Sequence, residues 1–211
     1  MRVMFKYCAW LLMLLAAVAV AYYSISLAMH PENAPGFLRE GMLSGQLRYY
    51  FHFIFGATAL VCGALQFLSW LRLKLPVLHR NLGKLYLLSI LISGTAALIM
   101  SLQAQGGIVS VTGFSLLAIL WLYTSYRGYQ EARKGNFSVH RQWMVRSYAL
   151  TLAAVTLRLY LGLALGVLQL DFETAYVVIA WACWLPNLII AELCFNRPAM
   201  AKEQNHQARL A

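Results

Sequence analysis

The sequence predicts an all-α, polytopic membrane protein: a bundle of six transmembrane helices with both termini in the cytoplasm. Two observations lead to this prediction. The chain contains six long apolar stretches, and its basic residues concentrate in alternate connections between those stretches. The composition agrees, because 61% of the 211 residues are hydrophobic and only 11% are charged.

Each apolar stretch is long enough to cross a bilayer. A helix needs roughly 20 mainly apolar residues to span the hydrocarbon core, where it must satisfy its own backbone hydrogen bonds. None of the six stretches shows the two-residue alternation of a barrel strand. The predicted spans are 7–28, 47–70, 85–102, 108–126, 144–166 and 175–194. They predict one membrane domain over residues 1–196, followed by a polar cytoplasmic tail over 197–211.

The basic residues predict the orientation of the helices, because Lys and Arg accumulate in connections on the cytoplasmic side of a membrane. Of the 17 Lys and Arg residues, all but Arg39, Arg48 and Arg158 fall in the N-terminal segment, the stretches 71–84 and 127–146, or the C-terminal tail. Both termini are therefore predicted to be cytoplasmic. The other three connections are predicted to face the outer side.

The net charge of +10 follows from this topology. Cations that are spread among short loops at a lipid surface do not form a nucleic-acid interface, so the predicted partner is the lipid bilayer and not nucleic acid. Other membrane subunits or a second copy of the chain stay open as partners. The sequence has no P-loop, glycine-rich dinucleotide turn or HExxH motif, and the hydrolase and ATPase classes that need them are excluded.

Arg158 is the most informative polar residue. It lies 14 residues after the predicted start of span 5 at residue 144, about 20 Å along a helix. A charge at such depth costs about 3 kcal/mol, so Arg158 is predicted to face the bundle interior. His52 is predicted to be its neighbour at similar depth, and because two cations repel, His52 is expected to be neutral or to share an anionic ligand. The alternative is that Arg158 reaches outward to Asp171 or to lipid headgroups.

The spacing of small and polar residues supports inward-facing helix surfaces. Every third or fourth position of span 5 carries such a residue, which places them on one side of the helix; they are His140, Met144, Ser147, Thr151, Ala154 and Arg158. Span 2 has an equivalent stripe, made of His52, Gly56, Ala59, Gly63 and Gln66. Small residues allow helices to approach closely in a membrane.

His79 and His140 form a second candidate site. Each opens a predicted span after a basic connection, and each is followed by an arginine, Arg80 or Arg141. Imidazoles at equal depth on two helices can bind a haem iron from opposite faces, with the arginines neutralising the propionates. His52 is a further candidate ligand. Haem iron is the only metal that the sequence suggests. The alternative is that both histidines anchor helix ends at the membrane interface.

Asn187 follows a proline in the middle of span 6. Pro186 removes one hydrogen bond from the helix, and the Asn187 amide can either cap the freed carbonyl or bind a ligand. The predicted intramembrane polar site therefore comprises Arg158, His52, Gln66 and Asn187, with no catalytic residue assigned.

Several short motifs identify a resemblance to a known family. They are Phe51-His52 with Gly56, the stretches 63–67, 78–86, 121–124 and 140–151, Arg158-Leu159-Tyr160, and Trp184-Leu185-Pro186-Asn187. In this combination, over about residues 49–192, the chain resembles a family of bacterial predicted membrane proteins known as domain of unknown function 2306. The resemblance implies the fold and a multi-pass location in the bacterial cytoplasmic (inner) membrane. It implies no activity, and whether the protein is an enzyme stays open.

Three functions are compatible with these residues. The first is a small redox bundle that binds a b-type haem or a quinone through inward-facing histidines. The second is a transporter for a small solute, an anion or protons, whose path is lined by His52, Arg158 and Asn187. The third is a non-catalytic membrane assembly subunit. The first hypothesis is favoured because it uses histidines on several helices. Transporter sites are often built from a pair of interrupted helices, whereas here only span 6 is clearly interrupted.

Overall fold

The computed structural model of the protein describes residues 2–195, apart from the side chains at 2–6 and 37. The tail predicted at 197–211 lies outside these residues. The described chain is helical and contains no strand. Six helical stretches are long and apolar enough to cross a membrane: Tyr7–Met29, Leu47–Gln66, Pro76–Ser101, Gly107–Arg133, Phe137–Val167 and Phe172–Phe195. They are called spans 1 to 6 below, and the prediction of six membrane helices is confirmed.

The boundaries of the spans differ from the predicted ones where charged residues continue a helix. Span 3 begins at Pro76 rather than at residue 85, because a proline is well suited to the first helical turn. Span 4 continues to Arg133 instead of ending at 126. Span 2 ends at Gln66, and a separate short helix over Ser69–Lys74 follows it. Hydropathy alone does not detect such extensions, since they project beyond the apolar core.

Spans 5 and 6 are not continuous α-helices. Span 5 consists of the helices Phe137–Thr151 and Ala153–Leu161 and a π-helical end over Gly162–Val167. Span 6 consists of the helices Phe172–Ala182 and Leu185–Ile190 and a π-helical end over Ala191–Phe195. The segment between spans 1 and 2 holds a 3₁₀ turn at Pro31–Asn33 and a helix at Gly36–Leu43.

Spans 2 to 5 form a four-helix bundle. Span 2 packs against span 3, span 3 against span 4, and span 4 against span 5, while span 5 closes the ring against span 2. Spans 3 and 5 are therefore diagonal partners that face each other across the centre. Span 1 flanks spans 2 and 5, and span 6 flanks spans 4 and 5.

The outer surface of the bundle is apolar, as contact with lipid requires. Large aliphatic side chains are more than half exposed on several spans; examples are Leu91, Leu159, Val178 and Leu193. The interior uses smaller groups, with fully buried Ser89, Ser93, Ser110 and Ser147. Lipid tails are as apolar as leucine, so close packing and hydrogen bonds hold these helices together.

Gly63 illustrates that packing. A methyl group at this position of span 2 would lie 2.4 Å from the Tyr148 ring and 2.7 Å from the Tyr86 ring. Tyr148 in turn donates a hydrogen bond to the Leu60 carbonyl of span 2 at 3.1 Å. The absence of a side chain at Gly63 therefore lets two tyrosines from spans 3 and 5 fill the centre of the bundle.

Candidate functional site

Most of the polar side chains inside the bundle lie in two regions, one towards each end. The basic end carries the connections between spans 2 and 3 and between spans 4 and 5, with cations such as Arg72, Lys74 and Lys134. The opposite end carries the other connections, including residues 102–106. The basic end contains the candidate histidines His79 and His140, and the opposite end contains His52.

A cavity of about 240 Å³ opens at the opposite end. Gln103 and Gln105, both exposed, line its mouth together with Leu38 and Tyr49. Arg48 binds the Gln103 side-chain oxygen at 2.6 Å beside this mouth.

The cavity then extends inward between spans 2, 3, 4, 5 and 6 and reaches Arg158, His52, Trp121 and Thr151.

Arg158 lines this cavity from span 5. Its guanidinium donates to the Ala154 carbonyl at 2.8 Å and to Ser24 Oγ on span 1 at 3.1 Å. It also lies over the Tyr23 ring, 5.5 Å from the centroid. Its Nε is buried and has no hydrogen-bond partner in the described structure. Arg158 thus points into the bundle, where part of its donor capacity is unused.

His52 lines the same cavity from span 2. Its Nδ1 lies 3.3 Å from the Ser93 carbonyl oxygen and 3.2 Å from Ser93 Oγ on span 3. Ser93 Oγ in turn donates to the His52 carbonyl at 2.9 Å. The imidazole is near enough to Arg158 for an electrostatic interaction. The structure therefore brings Arg158 and His52 to one cavity, and Ser93 holds the imidazole in place.

A buried hydrogen-bond network adjoins the inner end of the cavity, which two of its members, Trp121 and Thr151, line. Tyr86 Oη on span 3 lies 2.7 Å from Ser147 Oγ and 3.0 Å from Thr151 Oγ1 on span 5. Trp121 Nε1 donates to Thr151 Oγ1 at 2.8 Å, and Ser125 Oγ lies 2.8 Å from Ser147 Oγ. The five side chains are buried and join spans 3, 4 and 5.

The sequence analysis did not predict this network. Ser147 and Thr151 were assigned to the polar stripe of span 5, but Tyr86 was not recognised as their partner. A signal was present, since Tyr86 follows His79 by seven residues and Ser147 follows His140 by the same number. Positions seven residues apart lie on one helix face.

His79 and His140 occupy the basic end. They lie on spans 3 and 5, the diagonal pair, each two turns before the contact between Tyr86 and Ser147. Both side chains are half-buried, and they are near enough for an electrostatic interaction. Nδ1 of His140 lies 2.7 Å from the Gly128 carbonyl oxygen on span 4. His79 Nδ1 is buried and has no hydrogen-bond partner in the described structure.

Arg80 and Arg141 follow these histidines and are both exposed. Gln66 belongs to this region and not to the cavity. Its side chain donates to the His79 carbonyl at 3.2 Å, and it lies 14 residues after His52, about 21 Å along the helix.

Asn187 lies in a third place, between spans 5 and 6. Its amide donates to the carbonyls of Ala149 at 3.3 Å and Cys183 at 3.1 Å, and to Thr156 Oγ1 at 3.2 Å. Thr156 Oγ1 also donates to the Cys183 carbonyl. Asn187 therefore caps the helix break before Pro186.

The predicted intramembrane polar site comprised Arg158, His52, Gln66 and Asn187. In the structure these residues occupy three separate places, because they differ in depth and in helix face.

The basic end also holds an ion pair. Arg146 of span 5 binds Glu192 of span 6 through two nitrogens, at 2.5 and 2.8 Å. The Arg146 guanidinium stacks on the Trp143 ring at 4.5 Å, and Arg127 lies over the same ring at 5.0 Å. Glu192 is thus engaged by Arg146 at the basic end, far in depth from Arg158.

Comparison with known proteins identifies one family. Residues 49–195 match a family described as predicted membrane protein (DUF2306). The match covers spans 2 to 6, which include the cavity residue Arg158 and the histidines at both ends, and it confirms the resemblance that the motifs indicated. No curated protein and no solved structure shows significant similarity to the chain.

Proposed function

The chain belongs to the family of predicted membrane proteins DUF2306, and we propose that it is a small redox protein that binds a b-type haem between His79 and His140. The observation that carries this proposal is the hydrogen bond of His140. A carbonyl oxygen only accepts, so Nδ1 of His140 donates to Gly128 O, and Nε2 of the neutral imidazole keeps its lone pair. Metal-binding histidines typically donate their other ring nitrogen in this way.

His79 is the second proposed haem ligand. It lies on the span diagonal to that of His140, at matching distance from the contact between Tyr86 and Ser147. Facing helices of a four-helix bundle are the usual positions for ligands of a cofactor in its core. The unpartnered, buried Nδ1 of His79 is the kind of atom that a ligand would satisfy.

The number of ligands favours haem over a simple metal ion. Structural zinc takes four protein ligands and catalytic zinc three, and the described residues contain no group of three or more His, Cys, Asp or Glu that could hold a metal. Haem brings four nitrogens of its own and takes only one or two ligands from the protein. Arg80 and Arg141 would neutralise the propionates at the basic end. Bound haem would supply one-electron transfer; a quinone is the alternative redox cofactor.

The test is a visible spectrum of the purified protein. We expect a reduced-minus-oxidised difference spectrum with a Soret band and the sharp α-band of low-spin haem, and one haem per chain by pyridine haemochrome assay. Protein made without added haem precursor should gain the same bands on titration with haemin. The proposal would be contradicted if added haemin kept the broad spectrum of unbound haemin, without a shifted Soret band and without the low-spin α-band after reduction.

Transport ranks second. It is favoured by the cavity, which places a cation and an imidazole inside the membrane. However, Thr151 and Trp121 line the inner end of that cavity, and Thr151 is hydrogen-bonded to the buried Tyr86 hydroxyl. A binding site that is open at one end agrees better with this geometry than a path through the bundle.

The membrane setting is part of the proposal. The basic end faces the cytoplasm, as does each terminus, because Lys and Arg accumulate on that side. The membrane is the bacterial inner membrane, and residues 1–196 form one domain. Under this assignment the haem lies near the cytoplasmic surface, and the cavity of Arg158 opens outward.

A further inference from the structure

The cavity at the opposite end has an unbalanced charge. Among its lining residues Arg158 is the single permanent cation, and none is an Asp or Glu. Among the described residues, Lys134 and Arg146 form ion pairs and His30 contacts Glu32, and none of these pairs includes Arg158. Arg158 is partly buried within a membrane-spanning helix, and a charge at membrane depth is costly unless it is paired. The charge at Arg158 therefore calls for a counter-anion.

The donors of Arg158 are free to bind such an anion. A guanidinium has five N–H donors in a planar fork that matches a carboxylate. Ala154 and Ser24 occupy two of them, and the buried Nε donor is unused. His52 lines the same cavity with its Nδ1 held by Ser93. The Ser93 carbonyl oxygen only accepts, so Nδ1 donates to it, and Nε2 then carries a lone pair that accepts a hydrogen bond from a ligand donor but does not bind the carboxylate.

The walls and the size define the rest of the ligand. Apolar side chains such as Phe53, Leu117 and Leu157 line most of the cavity. Its volume of about 240 Å³ lies below the roughly 300–1,000 Å³ of pockets for drug-sized ligands. A single cation favours a monoanion over a multiply charged phosphate. The exposed Gln103 and Gln105 at the mouth indicate access from water.

From these observations we propose that the cavity of Arg158 and His52 binds a small organic monocarboxylate with an apolar body, which enters past Gln103 and Gln105. The carboxylate pairs with the Arg158 guanidinium, and the apolar body packs between spans 2 and 4. This site is independent of the proposed haem, since it lies at the other end of the bundle and uses other residues.

The experiment compares isosteric probes on the full-length protein in phosphatidylcholine nanodiscs at constant chloride. Benzoate is the probe, benzamide is its neutral isostere, and inorganic phosphate is the multiply charged anion. We expect benzoate to raise the melting temperature and to give a saturable calorimetric isotherm. Benzamide and phosphate should do neither. Equal effects of benzoate and benzamide would overturn the proposal, because charge would then not be recognised.

Variants of Arg158 test whether benzoate binding depends on this residue. Arg158→Gln removes the charge and should weaken benzoate binding at least tenfold, whereas Arg158→Lys should retain binding within severalfold, with loss of the bidentate geometry. Arg39→Gln, at an exposed arginine on the same side of the membrane, is the matched control and should bind like wild type. Unchanged affinity in Arg158→Gln would overturn the proposal. If that variant does not fold, Arg158→Lys and the pair of wild-type probes still decide.

Two further probes test the source and class of the ligand. Laurate partitions from the bilayer, so binding of laurate without binding of benzoate would contradict access from water. Duroquinone is a neutral ring of similar size to benzoate. Competition of duroquinone with benzoate at equal affinity would contradict recognition of a carboxylate and would favour a quinone site. Neither result depends on the presence of haem, which is read from the visible spectrum.

Discussion

Tyr86 Oη lies 2.7 Å from Ser147 Oγ, and this contact joins spans 3 and 5 across the centre of the bundle. The contact lies between the two polar regions of the bundle. Towards the basic end, His79 and His140 each precede the contact by seven residues. Towards the opposite end, Thr151, which also binds Tyr86, lines the cavity of Arg158. A buried hydroxyl network therefore lies between the proposed haem and the proposed anion site.

We expect loss of the Tyr86 hydroxyl to destabilise the protein. Tyr86→Phe removes the hydrogen bonds to Ser147 and Thr151 from a site that is 1% exposed. Hydrogen bonds between membrane helices average about 0.6 kcal/mol, so the loss of two predicts a cost of about 1 kcal/mol. Thermal unfolding in detergent measures it. Tyr123→Phe is the control, since the Tyr123 hydroxyl is exposed and bonds Arg127 on the surface. An equal loss in both variants would contradict the central role of Tyr86.

A methyl group at Gly63 should be poorly tolerated. Gly63→Ala would place its Cβ 2.4 Å from the Tyr148 ring and force span 2 away from spans 3 and 5. Overpacking of this kind costs about 1–3 kcal/mol. Gly166→Ala is the matched control, because no atom lies within 4 Å of a Cβ at that position. The melting temperature should fall for the first variant only. A wild-type melting temperature in Gly63→Ala would show that the tyrosines repack at little cost.

Substitutions of the histidines should affect the haem content of the protein in two different ways. His79→Ala and His140→Ala each remove one proposed axial ligand, so haem per chain should fall to background or the α-band should change to that of five-coordinate iron. His52→Ala should keep the wild-type spectrum, because His52 lies at the other end of the bundle. His30→Ala is the surface control, since His30 is exposed and pairs with Glu32. Full haem content with an unchanged α-band in His140→Ala would contradict the assignment.

Reporter fusions should place the basic end in the cytoplasm. Fusions to a dual reporter, active as alkaline phosphatase outside and as a fluorescent protein inside, should read periplasmic after Gln105 and Glu173. Fusions after Lys74 and Lys134 should read cytoplasmic. The physical reason is the accumulation of Lys and Arg at these connections. The reverse pattern at all four sites would invert the proposed topology, and the cavity would then open to the cytoplasm.

The number of membrane helices could be predicted because each depends on local composition. A stretch of about 20 apolar residues forms a spanning helix whatever its neighbours do, since the bilayer provides no other partner for its backbone. The ends were harder to predict: span 4 continues through Arg127 to Arg133, beyond the apolar stretch that ends near residue 126. Pro186 indicated the break in span 6. The hydrogen bond from Asn187 to Thr156 at this break could not be predicted, because Thr156 lies on the neighbouring span 5.

The sequence by itself determined the spans, the charge asymmetry and the inward preference of Arg158, because hydropathy, charge and helical periodicity are properties of single segments. The tertiary structure decided which segments meet. It separated Asn187 and Gln66 from the cavity of Arg158 and His52, and it made spans 3 and 5 diagonal partners, which brought Tyr86 to Ser147. Which helices are neighbours depends on their order and rotation around the bundle axis. Small residues such as Gly63 and Ser93 influence this arrangement only through the side chains that pack against them from other helices, and one segment of sequence does not reveal those side chains.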